Sequence, residues 1–469
     1  MDEPSTKKYA FVLGRERELC FAELKAVLKR FCFDFVVFSV PDNIVFINIA
    51  AETQAIEELA DVLGGTVKIF LLIEEGNFKG QNNSLKSKII NILRKRSNGK
   101  MNYGISSYTK YFTRNFVNNI GLSIKKELKR EISLRFVALR DGDELSSIVS
   151  LKSKFVSEGA EFGLFDQGIG ILLGVSNAEE WSKRDYDKPA GDKRSGMLPP
   201  KLARMMINLA LGQGIEYRIQ NTENREQGTK YRKQETENCR PLVIDPFCGS
   251  GNILTEAMML GCDTFGSDVS AKAVQDSRVN TDWLLSDVIS NDSEKSHEIS
   301  RLADPMARND RAKAVVAQAD ATEEDFVRLL AIHGFKLENY ADAVVVTEPY
   351  LGEPKKLKPT MSAAWGEYKK IKELYISFLK NIKQLAEYSS NEVRSSQLSV
   401  SNNKDIALCI VFPLVETSDE GLLSLYRRSV DEIKKIGYTE LQLPLIYGRD
   451  YQVVKREIVL LTIRNTKGY

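Results

Sequence analysis

The run Asp245-Pro246-Phe247-Cys248-Gly249-Ser250-Gly251-Asn252-Ile253-Leu254 holds the densest chemistry in the chain. Apolar Pro241-Leu242-Val243-Ile244 precedes it, and Thr255-Glu256-Ala257-Met258-Met259-Leu260 follows. That order predicts a buried strand, a tight glycine turn and a helix that opens at once. A dinucleotide fingerprint would carry a third glycine at position 254, where Leu254 stands. A carboxylate at Asp245 would repel a pyrophosphate and attract an ammonium. The second predicted strand, Thr264–Ser267, is closed by Asp268, placed for a ribose diol. The third, Ala314–Gln318, is followed by Asp320, placed for an adenine edge. Each of these last two acids, taken alone, would also serve as a helix N-cap. Three carboxylates at successive strand ends, where open parallel sheets bind ligands, suit S-adenosylmethionine (SAM), which carries an ammonium, a sulfonium, a ribose and an adenine. The candidate cofactor residues here are Asp245, Phe247, Gly249, Gly251, Asp268, Val269, Asp320 and Ala321.

A fourth strand, Ala343–Thr347, runs into Glu348-Pro349-Tyr350-Leu351-Gly352. A proline–aromatic pair past a strand end makes a rigid turn with a presented ring. Such a ring can stack on a flat base while polar acceptors hold its exocyclic amine. The chemistry is in-line attack of the amine nitrogen on the sulfonium methyl. The methylated nitrogen then sheds its proton easily, so positioning and electrostatics can supply most of the acceleration. The base has to be flipped out or taken from an unpaired position. Thr347, Glu348, Pro349 and Tyr350 are the candidate catalytic residues; the plainer alternative is a turn with a packed ring.

Cys248 suggests a nucleophile, but the chain has only two histidines, His297 and His333, both in weakly patterned sequence. Cys–His catalysis and histidine metal ligation are therefore disfavoured. The six cysteines form no CxxC pair, which argues for a reduced compartment and against a metal site or a disulfide framework. No apolar run approaches the roughly 20 residues that cross a bilayer. The start, Met1-Asp2-Glu3-Pro4, is neither basic nor apolar, so a cytoplasmic protein is expected.

Elements must position these groups, and 469 residues allow two or three domains. From Pro241 onward strands alternate with helices at Ile253–Leu260, Ala271–Leu284, Glu323–Ile332, Met361–Tyr388 (whole or broken) and Gly421–Ile436. Strands Ile406–Phe412, Glu440–Leu445 and Ile458–Ile463 complete a doubly wound, mostly parallel α/β sheet with an antiparallel C-terminal hairpin. A helix at Lys201–Leu211 precedes it. Polar stretches at Asn221–Asn238, Ser286–Asp310 and Ser389–Asp405 read as insertions.

The N-terminal part is α+β. Strands are expected at Tyr9–Gly14, Phe35–Val40, Ile44–Ile49 and Val67–Ile73, with helices at Glu18–Phe31 and Glu52–Leu63. Further on, helices are expected at Leu85–Lys95 and Val117–Ile132, and strands at Tyr103–Tyr108, Arg135–Ala138, Ser146–Val149 and Ile169–Leu173. Domains are drawn at 1–75, 76–180 and 181–469. Net charge is +2, yet Asn77 to Arg140 holds 15 Lys and Arg against Glu127 and Glu131, a local +13. Tyr103, Tyr108, Tyr111, Phe112 and Phe116 interleave with these cations. Cations release counterions from a phosphate backbone and rings offer stacking faces, so nucleic-acid binding is favoured over a merely solvated basic face. Arg94, Lys95, Arg96, Lys100, Lys110 and Arg114 are the candidate contacts.

The motif Asp245-Pro-Phe-Cys-Gly-Ser-Gly-Asn-Ile-Leu-Thr-Glu-Ala resembles motif I of the THUMP-containing tRNA guanosine N2-methyltransferases that act on position ten. These are the Trm-eleven-type enzymes and their archaeal counterparts. Gly196-Met197-Leu198-Pro199-Pro200-Lys201-Leu202-Ala203 through Asn208-Leu209-Ala210 resembles the family's segment before motif I. The resemblance implies a class I, Rossmann-like SAM-dependent methyltransferase from about Trp181 onward. It also implies that Met197 and Pro199 line the cofactor pocket, that 76–180 is a THUMP-like RNA-binding region, and that tRNA is the partner. A small activator subunit is a candidate second partner, and the chain is expected as a monomer away from membranes. One departure stands out: the family reads Asp-Pro-Pro-Tyr where this chain has Thr347-Glu348-Pro349-Tyr350. Either Glu348 supplies the carboxylate from the next position or the target amine differs. Rival readings are an amino-methyltransferase of DNA or ribosomal RNA, and a non-catalytic RNA-binding protein that keeps SAM affinity. A nicotinamide oxidoreductase is a distant third.

Overall fold

The computed structural model describes residues 6–96, 99–191, 197–220, 240–288, 312–323, 326–340, 342–393 and 406–463. Most of the three polar stretches expected as insertions lies outside the described residues, as do His297 and Gly196. The chain divides into two units, Met1–Phe21 with Phe33–Lys183, and Ala22–Cys32 with Arg184–Tyr469.

In chain order the first unit contains β1 (Thr6–Leu13), then α1 (Arg17–Arg30), whose residues from Ala22 onward count with the second unit. Next come β2 (Asp34–Ser39), β3 (Ile44–Ala50), α2 (Thr53–Val62), β4 (Thr66–Glu75) and α3 (Asn82–Arg96). They are followed by β5 (Met101–Ser107), α4 (Arg114–Leu128), β6 (Leu134–Val137) and α5 (Ser147–Lys152). β7 (Ala160–Phe165), β8 (Gly168–Val175) and α6 (Ala178–Ser182) complete it.

All its described strands share one sheet, in the order β2-β3-β1-β4-β8-β7-β5-β6, so a single sheet runs through the segments before and after residue 76. Leu85, Ile89 and Leu93 of α3 and Val117, Ile120 and Ile124 of α4 recur at helical spacing and are buried with Tyr103, Ile105 and Phe162 of the sheet. Inside this core, Lys68 Nζ lies 2.5 Å from Glu161 Oε1, and Ser106 and Ser150 donate to the same carboxylate. Burying two charges is tolerable only with such complete hydrogen bonding.

Ser146–Val149 is not a strand. The Ser146 hydroxyl accepts the Val149 N–H and caps α5, so hydroxyl capping overrides the β-branched run. β7 escaped the sequence reading, because Ala160-Glu-Phe-Gly-Leu-Phe165 is buried throughout and shows no alternation.

The second unit begins with α7 (Pro200–Gln220), β9 (Leu242–Asp245), α8 (Asn252–Met259), β10 (Asp263–Asp268) and α9 (Ala271–Trp283). β11 (Ala314–Gln318), α10 (Phe326–Ile332), β12 (Ala343–Thr347) and α11 (Met361–Val393) continue it. β13 (Ile406–Glu416), β14 (Leu422–Ser424), α12 (Val430–Ile436), β15 (Tyr438–Glu440), β16 (Leu445–Tyr447) and β17 (Val454–Ile463) close it. Strand order is β11-β10-β9-β12-β13-β17-β15. The first five are parallel, and β17 runs antiparallel between β13 and β15.

This is the expected doubly wound, Rossmann-like sheet with an antiparallel C-terminal hairpin. Alternate residues Leu242, Ile244, Val345, Leu408 and Ile410 join one cluster with Tyr368, Tyr375 and Phe378 of α11. The intervening Val243, Val344, Val346 and Cys409 are equally buried, and α7 packs on β12 and β13. Helices thus cover both faces, which is why these strands read as unbroken apolar runs. Two local expectations change. Gly421–Ile436 is helical only at α12, because Leu422–Ser424 pairs with β13 instead. The strand expected at Glu440–Leu445 does not form across 441–444; only its end residues lie in strands, Glu440 in β15 and Leu445 in β16, both paired with β17.

Candidate functional site

β9 lies between β10 and β12, so the chain leaves it in opposite directions across the sheet. A crevice opens at the carboxyl ends of strands at such a switch point. Asp245, Asp268 and Thr347 are the last residues of these three adjacent strands.

The turn after β9 is built on two left-handed glycines, Gly249 (φ 50°) and Gly251 (φ 83°). A Cβ on Gly251 would stand 2.4 Å from Ser277 Oγ, so only glycine lets α9 come this close. Gly249 N–H donates to Asp268 Oδ2 at 3.0 Å, and Ser270 N–H donates to Oδ1 at 2.9 Å. Asp268 therefore ties the first turn to the second. The cap of α9 is Ser270, whose hydroxyl accepts the Ala273 N–H. Asp320 is different: its Oδ1 accepts the N–H and hydroxyl of Thr322, a local turn on an exposed residue. Ala321 is buried, and its carbonyl accepts from Asn381. Val269 is 68% exposed beside Asp268.

Asp245 is buried, and its Oδ1 accepts from Thr347 Oγ1 at 2.7 Å and from Phe247 N–H at 3.2 Å. Burial pushes its carboxyl up to about 7, although both hydrogen bonds favour the anion. Phe247 packs edge-on against Phe378, with ring centroids 5.1 Å apart. The Cys248 thiol is buried and pushed well up, first by burial and then by Asp245 and Asp268. A protonated thiol is no nucleophile.

The turn after β12 places Pro349 inside and Tyr350 half exposed, with its hydroxyl 3.0 Å from Glu353 Oε1. The Tyr368 hydroxyl donates to the Leu351 carbonyl, and a Cβ on Gly352 (φ 94°) would meet that hydroxyl at 2.9 Å. Glu348 does not stand free. Arg456 of β17 donates from Nε to Glu348 Oε1 at 2.9 Å, with both side chains 14% exposed. Burial raises the Glu348 carboxyl and Arg456 opposes the rise.

Met197 and Pro199 flank the same glycine turn. Ser250 Oγ donates to Met197 Sδ at 3.5 Å, and Asn252 Nδ2 donates to the Leu198 carbonyl.

Several groups at this turn were not singled out from sequence. Lys188 bonds Asn252 Oδ1 and Ser250 Oγ, and burial pushes its ammonium down to about 8. Asn280 of α9 donates to the carbonyls of Ala190 and Ser250. Glu256 of α8, fully buried, is held by Arg184 at 2.7 Å and Arg204 at 2.6 Å. These partners lie 30 to 90 residues apart in sequence, so no local spacing betrays them. The six candidate RNA contacts, Arg94, Lys95, Arg96, Lys100, Lys110 and Arg114, lie exposed in the first unit, where Arg94 is paired with Glu131 at 2.8 Å.

No protein-family model and no curated protein matches the chain. Among solved structures it is similar to a possible methylase from Clostridium difficile 630, at 12% identity over 99% of this chain and 100% of that one, with a TM-score of 0.45. It is likewise similar to TrmN from Thermus thermophilus, at 12% identity over 98% and 100%, TM-score 0.45. A third is a predicted N6-adenine-specific DNA methylase from Listeria monocytogenes, at 12% identity over 97% and 96%, TM-score 0.39. Likeness at this level carries no activity across to the chain.

Proposed function

We propose that the chain is a SAM-dependent methyltransferase that forms N2-methylguanosine in tRNA. The Thr347–Asp245 hydrogen bond carries this reading. At 2.7 Å it joins the glycine turn of β9 to the Pro349-Tyr350 turn of β12, so a cradle for a charged cofactor adjoins a turn fit to hold a base.

The cradle fits SAM on its own chemistry. Asp245 offers a buried carboxylate to an ammonium, and Asp268, fixed by two N–H donors, offers one to a diol. Gly251 holds this turn against Ser277 of α9, where a side chain would not fit. When bound, SAM supplies an electrophilic methyl on a sulfonium centre.

The chain's part is to bind and orient. The Tyr350 ring stacks on the base. The Thr347 hydroxyl, its proton committed to Asp245, turns its lone pairs to accept from the target amine, and the Pro349 carbonyl is a second acceptor. The threonine also makes physical sense. An aspartate at 347 would press a second carboxylate against the buried Asp245 and raise the pKa of one of the two. Glu348 is held by Arg456, so its part is to shape the turn.

The test is the purified chain with labelled SAM and unmodified tRNA, read by mass spectrometry of the nucleosides. N2-methylguanosine is expected, with Thr347→Val and Tyr350→Ala each lowering kcat/KM roughly 10- to 100-fold, as loss of a stacking or positioning contact does. Running the reaction without added protein also tests the need for a small activator subunit. N6-methyladenosine would keep the reaction and change the base. Transfer to duplex DNA alone would end the tRNA reading. SAM and tRNA binding without transfer would leave a binding protein.

A further inference from the structure

We infer that Tyr186, Arg449 and Tyr451 form a stacking surface for unpaired RNA nucleotides beside the base-holding turn. The inference rests on the nucleic-acid part of the function proposed above.

Tyr186 is 77% exposed and Tyr451 is 73% exposed. Tyr368, Tyr375, Tyr426 and Tyr438 of the same unit are by contrast buried in the core. The Arg449 guanidinium sits over the Tyr451 ring, 5.7 Å from its centroid, and donates to its hydroxyl. Tyr186 and Tyr447 lie within electrostatic range of the same guanidinium. Among the described residues Arg449 has no carboxylate within ion-pair distance. A planar cation without an acid partner, beside planar rings open to solvent, presents the groups that stack on bases.

The surface is held in shape. Arg449 N–H donates to Gln452 Oε1 at 2.8 Å, and Gln452 N–H donates to the Arg449 carbonyl at 2.9 Å, which closes the turn between β16 and β17. Gly448 faces Lys455, whose Cγ would stand 2.8 Å from an added Cβ. Rings on a closed turn lose little freedom on binding.

Its position also fits. Tyr447 pairs in register with Arg456, and Arg456 is the residue that holds Glu348. The hairpin that carries Arg449 and Tyr451 therefore reaches the turn that would receive the flipped base. A nucleotide taken out of its stack leaves its neighbours unstacked, and those neighbours need replacement faces.

The experiment uses the full chain and tRNA carrying 4-thiouridine next to the modified guanosine. On irradiation we expect cross-links in the peptide that contains residues 447–451. Tyr451→Ala, Tyr186→Ala and Arg449→Met should each weaken binding of a fluorescent single-stranded RNA roughly 5- to 100-fold, with SAM affinity unchanged as the check on folding. Tyr451→Phe and Tyr186→Phe, which keep the ring, should bind as wild type. Cross-links that avoid this hairpin, or alanine variants that bind RNA as wild type, would overturn the inference. If wild type binds RNA through these residues but transfers no methyl group, the stacking surface stands and the enzymatic reading falls.

Discussion

Asp245 titrates in the range where SAM binding would feel it. Burial holds its carboxyl up near about 7, so below that pH the folded chain keeps it protonated. A neutral carboxyl does not attract an ammonium, and binding must then expel a proton. SAM affinity should rise about tenfold per pH unit up to about 7 and level off, then fall above about 8 as the ligand's own amino group deprotonates. Calorimetry across this range, in buffers of different ionisation enthalpy, should show a proton released on binding at low pH. Asp245→Asn should abolish the acid limb. Thr347→Val removes a bond that favours the anion and should move that limb to higher pH; an unmoved limb would unseat Asp245 as the titrating group. The stability sign is opposite. A carboxyl whose folded pKa is raised stabilises the fold fully below its unfolded value, and that contribution is lost as pH rises through about 7. Asp245, Gly249, Gly251 and Asp268 were legible because acid, glycine and strand end follow one another within a few residues. That each Asp268 oxygen also accepts an N–H and so ties two turns together was not legible, since it depends on where the Gly249 and Ser270 N–H groups point.

At the scale of elements, an ion pair joins the turn after β12 to β17. Arg456 lies 108 residues beyond Glu348 and is brought to it by the antiparallel insertion of β17 beside β13. No local pattern announces a partner that distant, which is why the sequence suggests a free carboxylate at 348. Removing the guanidinium would leave Glu348 buried and alone. We expect Arg456→Met to cost about 3–5 kcal/mol in denaturant unfolding near pH 8, and less at pH 5. The direction follows from protonation: without Arg456, burial raises the Glu348 carboxyl further, and at low pH it can bind a proton instead of staying charged. The double variant Glu348→Gln with Arg456→Met should recover most of the loss; a pH-independent loss that the double variant does not relieve would show the pair to be incidental. The same distinction between local and distant causes decides which elements were readable. β9 and β12 are apolar runs bounded by turns and were placed within a residue of their ends, while β13 starts where expected at Ile406 and runs four residues past Phe412 to pair with β14 and β17. β14 and β16 form only because β13 and β17 offer them edges, so a helix and a longer strand were the natural readings of their sequences.

Over the whole molecule, a first unit carries the basic block and a second unit carries the proposed SAM cradle. Exposure alone does not make a cation available. Arg94 already gives two hydrogen bonds to Glu131, and Arg114 gives one to the Arg140 carbonyl. Lys95, Arg96, Lys100 and Lys110 are exposed as well, and Lys79 covers the Tyr111 ring at 4.0 Å, a pairing of cation and exposed aromatic face that suits RNA. Each lysine or arginine that neutralises a phosphate adds roughly 0.7 to 0.9 to the slope of log affinity against log salt. Replacing Lys95, Arg96, Lys100 and Lys110 together by alanine should therefore flatten the salt dependence of tRNA binding by about 3 and weaken binding most at low salt. Arg94→Ala should change the slope by less than any of these, because its charge is already spent on Glu131. Filter binding between about 50 and 200 mM salt reads both, with SAM affinity unchanged in every variant. A slope that stays at the wild-type value in the fourfold variant would move the phosphate contacts off this block and onto other cations of the chain.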